Sequence, residues 1–430
     1  MQRSQGGEAV NDADVADVRP QRVAVVIAGA GARGGYEAGV LSVLLPRLEA
    51  AGAVPTLLVG TSAGAINAAL YAAVADRPAA EQGEPVLDVW RGIHTTDVFR
   101  SPVRTGLGTT GRWAGQLIGI PGVRVTSLLD TTPLKRMAHH AADWSQVRRN
   151  VDDGRTSLAV VTTSGHDNRT VVFVDRAGDR DLPPSDDSRP IDYRPAEVGP
   201  AHVLASAAIP VAFPPVRVPT EDGAPGGWYL DGGVRLNTPL KPALALGADA
   251  VVIVATHPAF DAAPGIAHTG ESRPPDVDDT VVRVMDAALV DRMVEDVNTL
   301  AKMNVLVAAA HRPGAADEPG TGHAVVPFLA IGPPERGTLG LLAAEIFDDR
   351  QGGALGGLLR LARDPDMRLL GRLLHGDGSR RGDLLSYLFF DPEFMEASIE
   401  CGRRDAEAAF AGVPSGRVPW QIGPPTTGPR

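Results

Sequence analysis

The clearest chemical signal in the sequence is a serine at the centre of the pentapeptide Gly60-Thr61-Ser62-Ala63-Gly64. The pentapeptide follows the apolar run PTLLV, which predicts a buried strand, and precedes apolar residues at helical spacing. Small residues two positions to either side of Ser62 let the backbone turn sharply and leave the hydroxyl exposed. At a strand-to-helix junction this pattern is typical of a nucleophile elbow, so we predict that Ser62 attacks an acyl carbon. The alternative is a purely structural turn.

A glycine-rich loop lies between an earlier apolar run, RVAVVIA, and another helical pattern. Its residues are Gly29, Ala30, Gly31, Ala32, Arg33 and Gly34. Exposed amides at the start of a helix hold negative charge, so such a loop can stabilise the oxyanion of acyl transfer or cradle a dinucleotide pyrophosphate. Dinucleotide sites also need an acidic residue at the end of the next strand, and this strand ends Val59-Gly60-Thr61 instead. The sequence therefore favours an oxyanion hole over dinucleotide binding or a structural glycine turn.

A nucleophilic serine needs a base, and the sequence offers two kinds. The usual base is a histidine oriented by an acid, but none of the ten histidines stands in a telling context. The other candidate is Asp231, which follows the predicted strand Trp228–Leu230 and precedes Gly232 and Gly233. A carboxylate held there could take the serine proton directly, and partial burial would raise its pKa and make it a stronger base. Taken alone, Asp-Gly-Gly is an everyday turn, so both kinds of base stay open.

Together, the three motifs resemble the patatin-like phospholipase family, in its bacterial type. The family signature is a G-x-G-x-x-G loop, a G-x-S-x-G elbow and a later D-G-G/A, and this sequence contains them in that order. The block ASAAIP at 205–210, with FPP at 213–215, is similar to the A-S-x-x-x-P…F-P-P block of the family. The resemblance covers about residues 22–258 and is weaker in the helical part that follows. Ala30 departs from it, because many members carry a third consecutive glycine there.

The resemblance implies a Ser-Asp dyad, with Ser62 as nucleophile and Asp231 as general base, and an acyl-enzyme that water hydrolyses. Backbone amides of the Gly29–Gly34 loop would hold the oxyanion. The residues that support these motifs would be Gly60, Gly64, Gly232, Gly233 and Asn237. The expected substrate is a lipid or another acyl ester, and no metal or cofactor is expected. Arg33 has two candidate roles, binding a lipid phosphate or pinning the loop, and we favour the second.

Two other functions stay open. One is a non-catalytic lipid-binding or regulatory protein on the same fold, and the presence of both Ser62 and Asp231 argues against it. The other is an α/β-hydrolase esterase with a Ser-His-Asp triad, in which one histidine would be as necessary as Asp231.

The repeated order of strand, loop and helix favours an α/β fold. We expect a three-layer α/β/α architecture with a mostly parallel central sheet and a helical C-terminal part. The expected units are a disordered tail over 1–20, a catalytic domain over 21–335, a helical extension over 336–413 and a disordered tail over 414–430. Within the catalytic domain, we expect a helical insertion or cap over 76–155 and mobile loops over 176–200 and 258–279.

Composition narrows the class of protein. The net charge of −11 makes the chain a poor default binder of nucleic acid, and its single cysteine, Cys401, excludes a disulfide framework or a multi-cysteine metal site. No apolar run approaches the ~18–20 residues that span a bilayer, and the polar N-terminus does not resemble a signal peptide. We therefore predict a cytoplasmic protein. Peripheral membrane contact is an alternative for the apolar segments Leu385–Phe390 and Phe394-Met395, but packing of a C-terminal helix is the favoured explanation.

Overall fold

The computed structural model describes residues 20–99, 127, 129–178, 181–219, 226–258, 291–310, 324–351 and 381–424. Its strands are β1 (Val23–Ile27), β2 (Pro55–Thr61), β3 (Ser157–Ser164), β4 (Thr170–Asp175), β5 (Ile191–Pro195), β6 (Val216–Arg217), β7 (Trp228–Asp231), β8 (Ala250–Val254) and β9 (Phe328–Ile331). Its helices are α1 (Gly34–Ala50), α2 (Ala63–Ala73), α3 (Ala79–Arg91), α4 (Thr95–Val98), α5 (Thr132–Ala141), α6 (Trp144–Asp152), α7 (Pro200–Ser206), α8 (Leu240–Ala245), α9 (Asp291–Ala310), α10 (Thr338–Gln351), α11 (Arg381–Leu388) and α12 (Pro392–Ala409). Single 3₁₀ turns occupy Gly31–Arg33 and Gly232–Val234.

Within these residues, nine strands form one sheet, in which β5, β4, β3, β2, β1, β8 and β9 lie side by side in that order. Strands β1, β2, β3, β8 and β9 pair in parallel, whereas β4 and β7 pair antiparallel with β3, and β6 pairs with β7. Parallel strands that are buried on both faces are continuous apolar runs, and β1 (VAVVI) and β8 (AVVIV) are buried throughout. The predicted mostly parallel central sheet is confirmed.

Helices cover both faces of the sheet and form two apolar cores. Along β1, the side chains of Val25 and Ile27 join one core, which also contains residues of α1, α2, α3, α10, α11 and α12. The intervening side chains of Ala24 and Val26 join the other core, with residues of α8 and α9. Because successive side chains of a strand point to opposite faces, this split gives the three layers that the sequence predicts.

The apolar C-terminal segment is packed inside the protein. Leu385, Phe389, Phe394 and Met395 are each at most 1% exposed, in agreement with the packed-helix explanation. No helix within the described stretches is both long and apolar enough to cross a membrane.

Helices α1 and α12 cross with their backbones in contact. A Cβ atom on Gly39 would overlap the carbonyl oxygen of Ile399, and one on Gly402 would overlap the carbonyl oxygen of Tyr36. Glycine on both helices therefore permits an approach that larger residues would prevent.

Two expectations about irregular segments are wrong where the structure describes them. Residues 414–424, expected to be a disordered tail, bury Val418, Trp420 and Ile422, and Gln421 exchanges two backbone hydrogen bonds with Phe328 at the edge of the sheet. The expected loop over 176–200 contains β5, which pairs in parallel with β4. In both cases pairing with the edge of a strand outweighs the local effect of Pro and Gly. Residues 1–19, 259–279 and 425–430, also expected to be tails or a loop, lie outside the described residues.

The crossing of α1 and α12 predicts the effect of one added methyl group. Gly402→Ala should lower the free energy of unfolding by about 1–3 kcal/mol, as overpacking does, although alanine favours a helix by about 1 kcal/mol. Urea unfolding measures the change. The control is Gly423→Ala, where a Cβ meets only the Val305 side chain at an ordinary contact distance of 3.5 Å and the change should stay within about 0.5 kcal/mol. A Gly402→Ala protein as stable as the wild type would contradict the close crossing.

Candidate functional site

Ser62 occupies a sharp turn between β2 and α2. Its backbone has φ 54° and ψ −123°, a region that a residue with a side chain rarely adopts and that stores strain. The flanking glycines make the turn possible, because a Cβ on Gly60 would overlap the carbonyl of Gly64, and one on Gly64 would overlap the carbonyls of Ile27 and Ala28. The pentapeptide thus forms the strained strand-to-helix turn that the sequence pattern describes.

The sheet brings Asp231 to this turn. Thr61, the last residue of β2, pairs with Val161 of β3, and Asp231, the last residue of β7, pairs with the next residue, Thr162. Strand β4 occupies the other edge of β3 at both positions, so β2 and β7 share one edge. Since β2 runs parallel to β3 and β7 runs antiparallel to it, the two strands meet at their carboxyl ends. Ser62 follows Thr61 directly and therefore lies beside Asp231.

Four hydrogen bonds fix Asp231, two to its carboxylate oxygens and two to its backbone. Its Oδ2 accepts from the Ser62 hydroxyl at 2.7 Å, and its Oδ1 accepts from the Gly233 amide at 2.7 Å. The Asp231 amide donates to the Ala208 carbonyl at 2.9 Å, and its carbonyl accepts from the Thr163 hydroxyl at 2.9 Å. With both ends of the residue held, one carboxylate oxygen faces the serine and the other is anchored in the glycine turn.

Burial changes the proton affinity of this carboxylate. Asp231 is 5% exposed, and loss of solvation raises its pKa to about 6, although the hydrogen bonds from Ser62 and Gly233 act in the opposite direction. Compared with the ordinary value of 3.8, this makes the carboxylate roughly a hundredfold stronger as a base. It is still mostly ionised at neutral pH.

Ser206 holds the serine turn from the side of α7. Its fully buried hydroxyl accepts a hydrogen bond from the Ser62 amide at 2.8 Å and donates to the Val161 carbonyl at 2.6 Å. In the sequence, this serine stands out only as part of the ASAAIP block. A polar residue in an otherwise apolar block is the available sequence signal, but nothing local reveals its partners.

The glycine-rich loop lies directly against Ser62. A Cβ on Gly29 would be 3.3 Å from the Cβ of Ser62 and would overlap the side-chain oxygen of Asn237. The Gly29 amide donates to the Asn237 carbonyl at 3.0 Å. Asn237 follows the Asp231 turn, so the loop, the serine and the segment after the aspartate meet at one place.

The amides of this loop differ in whether another described residue accepts their hydrogen bond. The amides of Arg33 and Gly34 close the 3₁₀ turn by donating to the carbonyls of Ala30 and Gly31. The amides of Ala30, Gly31 and Ala32 make no hydrogen bond to any other described residue. Gly31 has φ 56°, which favours glycine at that position.

Arg33 and the described histidines make no hydrogen bond to the Ser62 hydroxyl, whose partner is Asp231. Arg33 is 1% exposed and is bonded by groups of the C-terminal part, which fits the structural role rather than an exposed phosphate contact. His202 is buried, accepts from the Gly199 amide and has its pKa lowered to about 4 by burial. His257 is also buried and bonds Arg33. None of the histidines within the described ranges bonds Ser62 or Asp231; His268, His311, His323 and His375 lie outside those ranges.

The residues of this site lie within a match to a known protein family. The family model for patatin-like phospholipases matches residues 25–244, which include the glycine loop, the serine turn and Asp231. Among solved structures, the chain is similar to VipD from Legionella pneumophila, with 14% identity and a TM-score of 0.30 over 73% of this chain. The match spans 61% of the length of VipD. No curated protein matches the chain.

The position of Ser206 gives a prediction about stability. Ser206→Ala leaves the buried Ser62 amide without its acceptor, so the free energy of unfolding should fall by about 1–3 kcal/mol. The matched control is Ser398→Ala, because the buried hydroxyl of Ser398 has no hydrogen-bond partner among the described residues; there the loss should be under about 0.5 kcal/mol. Thermal and urea unfolding of the two variants measure the difference. Equal losses would show that the Ser62 amide does not depend on Ser206.

Proposed function

The chain belongs to the patatin-like phospholipase family, and from that premise we propose that it is a lipid acyl hydrolase with Ser62 as nucleophile and Asp231 as general base. Members of the family act on lipid acyl esters. The observation that carries the assignment of residues is the 2.7 Å hydrogen bond from the Ser62 hydroxyl to the buried Asp231 carboxylate. A nucleophile and a base already in contact can exchange a proton without an intervening imidazole.

The proposed reaction proceeds through an acyl-enzyme. Ser62 Oγ attacks the ester carbonyl while its proton passes to Asp231 Oδ2, and the carbonyl electrons move onto the oxygen. Collapse of this tetrahedral species breaks the ester bond, and the leaving alkoxide takes the proton from Asp231. A water molecule then gives its proton to Asp231 and attacks the acyl carbon. The second collapse releases the fatty acid and returns the proton to Ser62.

The oxyanion would be held by backbone amides of the Gly29–Gly34 loop. The amides of Ala30, Gly31 and Ala32 are the members of this loop that the fold leaves unpaired with described residues. The N-terminus of α2, which begins directly after Ser62, adds a favourable electrostatic field for negative charge. Both features support stabilisation of charge that develops beside Ser62.

The direct contact between Ser62 and Asp231 supports a dyad over a Ser-His-Asp triad. Each of the two described buried histidines has one ring nitrogen engaged, Nδ1 of His202 by the Gly199 amide and Nε2 of His257 by Arg33. A triad would require one histidine whose replacement by alanine removes activity as completely as loss of Asp231 does.

A fluorophosphonate probe tests the assignment of the nucleophile. We expect covalent labelling at Ser62, located by peptide mass spectrometry. Ser62→Ala should lose the label and at least about a thousandfold in kcat/KM on p-nitrophenyl esters, and Asp231→Asn at least about a hundredfold. Unchanged esterase activity in Ser62→Ala would rule out the proposal. Saturable lipid binding without hydrolysis of phospholipids, lysolipids, glycerides or p-nitrophenyl esters would favour the non-catalytic alternative.

The buried state of Asp231 predicts the acid limb of the pH profile. Because the carboxylate must be ionised to accept the proton, and its pKa is raised to about 6, kcat/KM should fall about tenfold per pH unit below pH 6. An ordinary aspartate would place the midpoint near 4. Adding an organic cosolvent should raise the midpoint, because a poorer solvent disfavours the charged carboxylate. A midpoint that falls in cosolvent would indicate an imidazolium acid instead.

A further inference from the structure

The side chain of Arg33 joins the glycine loop to helix α11. Its Nε donates to the Ser386 hydroxyl at 2.8 Å, and one terminal nitrogen donates to both the carbonyl and the carboxylate of Asp383 at 3.1 and 3.0 Å. Its guanidinium carbon lies 4.2 Å from the centre of the Tyr387 ring. At 1% exposure, this is a desolvated, charge-assisted set of bonds, the kind that fixes geometry most strongly.

His257 and Tyr387 complete this contact. The second terminal nitrogen of Arg33 and the Tyr387 hydroxyl each lie 3.0 Å from His257 Nε2. A guanidinium can only donate, so Nε2 is an acceptor and the imidazole is neutral, with its proton on Nδ1. Burial and the charge of Arg33 both hold the pKa of His257 well below its usual value. His257 follows β8 closely, so the sheet, the loop and α11 meet around one guanidinium.

Helix α11 is itself firmly seated. Gly382 lies so close to α10 that a Cβ would overlap the carbonyl of Gly340. After α11, the ring of Phe389 packs against those of Phe347 and Phe394, at centroid distances of 5.8 and 5.7 Å. The loop in turn touches the backbone of α11, because a Cβ on Gly31 would overlap the carbonyl of Tyr387.

The loop needs such support. Glycine-rich backbone is flexible, and loop amides that pair with no other described residue gain no rigidity from hydrogen bonds of their own. Oxyanion donors act only when they are already in place, and one donor is worth about 10²–10³ in kcat. We propose that Arg33, Tyr387 and His257 are positioning residues that fix the amides of Ala30, Gly31 and Ala32 for the oxyanion, so that α11, beyond the residues matched by the family model, is a required part of the catalytic apparatus. This inference rests on the proposed hydrolase function.

Two variants test the positioning role. Arg33→Lys keeps the positive charge but not the planar fork that reaches Ser386, His257 and Asp383 together. Tyr387→Phe removes only the hydroxyl and keeps the ring beside Arg33. The matched control is Tyr71→Phe, which removes another buried tyrosine hydroxyl, bonded at 3.1 Å to the Ala38 carbonyl between α2 and α1. Thermal unfolding of all three variants establishes that they are folded.

The kinetic arm compares a neutral p-nitrophenyl ester with a phospholipid. Arg33→Lys should lower kcat about tenfold or more on both substrates, and Tyr387→Phe about threefold or more, with KM within about threefold of the wild type. The rate of fluorophosphonate labelling should fall in parallel, and Tyr71→Phe should match the wild type. An unchanged kcat on the neutral ester, or a loss confined to the phospholipid, would overturn the proposal, the second result in favour of a lipid-phosphate contact.

Hydrogen exchange provides an arm that does not depend on activity. Amides in the peptide that contains residues 29–36 should exchange faster in Arg33→Lys and Tyr387→Phe than in Tyr71→Phe or the wild type. Unchanged exchange in both test variants would overturn the positioning role. A wild-type protein that neither hydrolyses esters nor labels at Ser62 would instead overturn the hydrolase function, and the exchange data would still decide whether α11 fixes the loop.

Discussion

The unfavourable backbone conformation of Ser62 is the constraint on which the site depends. A residue with a side chain in this region costs on the order of 1–3 kcal/mol, so the surrounding structure must over-determine it. Strand β2 is fixed between β1 and β3, α2 begins immediately after the turn, and Ser206 bonds the Ser62 amide to β3. The turn is thus held from the sheet, the helix and α7 at once. With the backbone of Ser62 fixed in this way, its hydroxyl lies within hydrogen-bond distance of Asp231.

Asp231, which accepts the hydrogen bond from Ser62, adds a second cost in stability to the same region because it is buried. The pKa of Asp231 is about 6 in the folded protein against an ordinary 3.8, so between these pH values the folded state binds more protons than the unfolded state. Stability contributed by this group is therefore fully present below about pH 4 and is lost as the pH rises through 6. A shift of about two units corresponds to roughly 3 kcal/mol. Burial of Asp231 therefore makes its carboxylate a stronger base and, at a pH above its pKa, lowers the stability of the folded protein.

Local sequence predicted the parts of the site that local chemistry determines. The glycines around Ser62 and the acid at the end of β7 leave signatures within a few residues, and the continuous apolar runs of β1 and β8 predict a parallel sheet. The missed features depend on contacts between distant segments. In the sequence, Ser206 is one more small residue. Strand β5 forms because it pairs with the edge of β4. Residues 414–424 are ordered because Val418, Trp420 and Ile422 pack into a core. The proline and glycine content of these segments predicts neither the pairing of β5 with β4 nor the packing of residues 414–424 into a core.

The residues matched by the family model are not a self-contained structure, because two of their elements pack against segments outside the match. Residues 25–244 include Val25–Ile27 of β1 but not β8, which pairs with the other edge of β1 along its whole length. They include α1 but not α12, which covers it at a backbone-to-backbone crossing. Without these partners, a central strand would present an unpaired edge and α1 would expose the face that packs on α12. The glycine loop connects β1 to α1. Because β8 pairs with β1 and α12 packs on α1, the position of the loop depends on the C-terminal part at both of its ends, in addition to the contacts of Arg33.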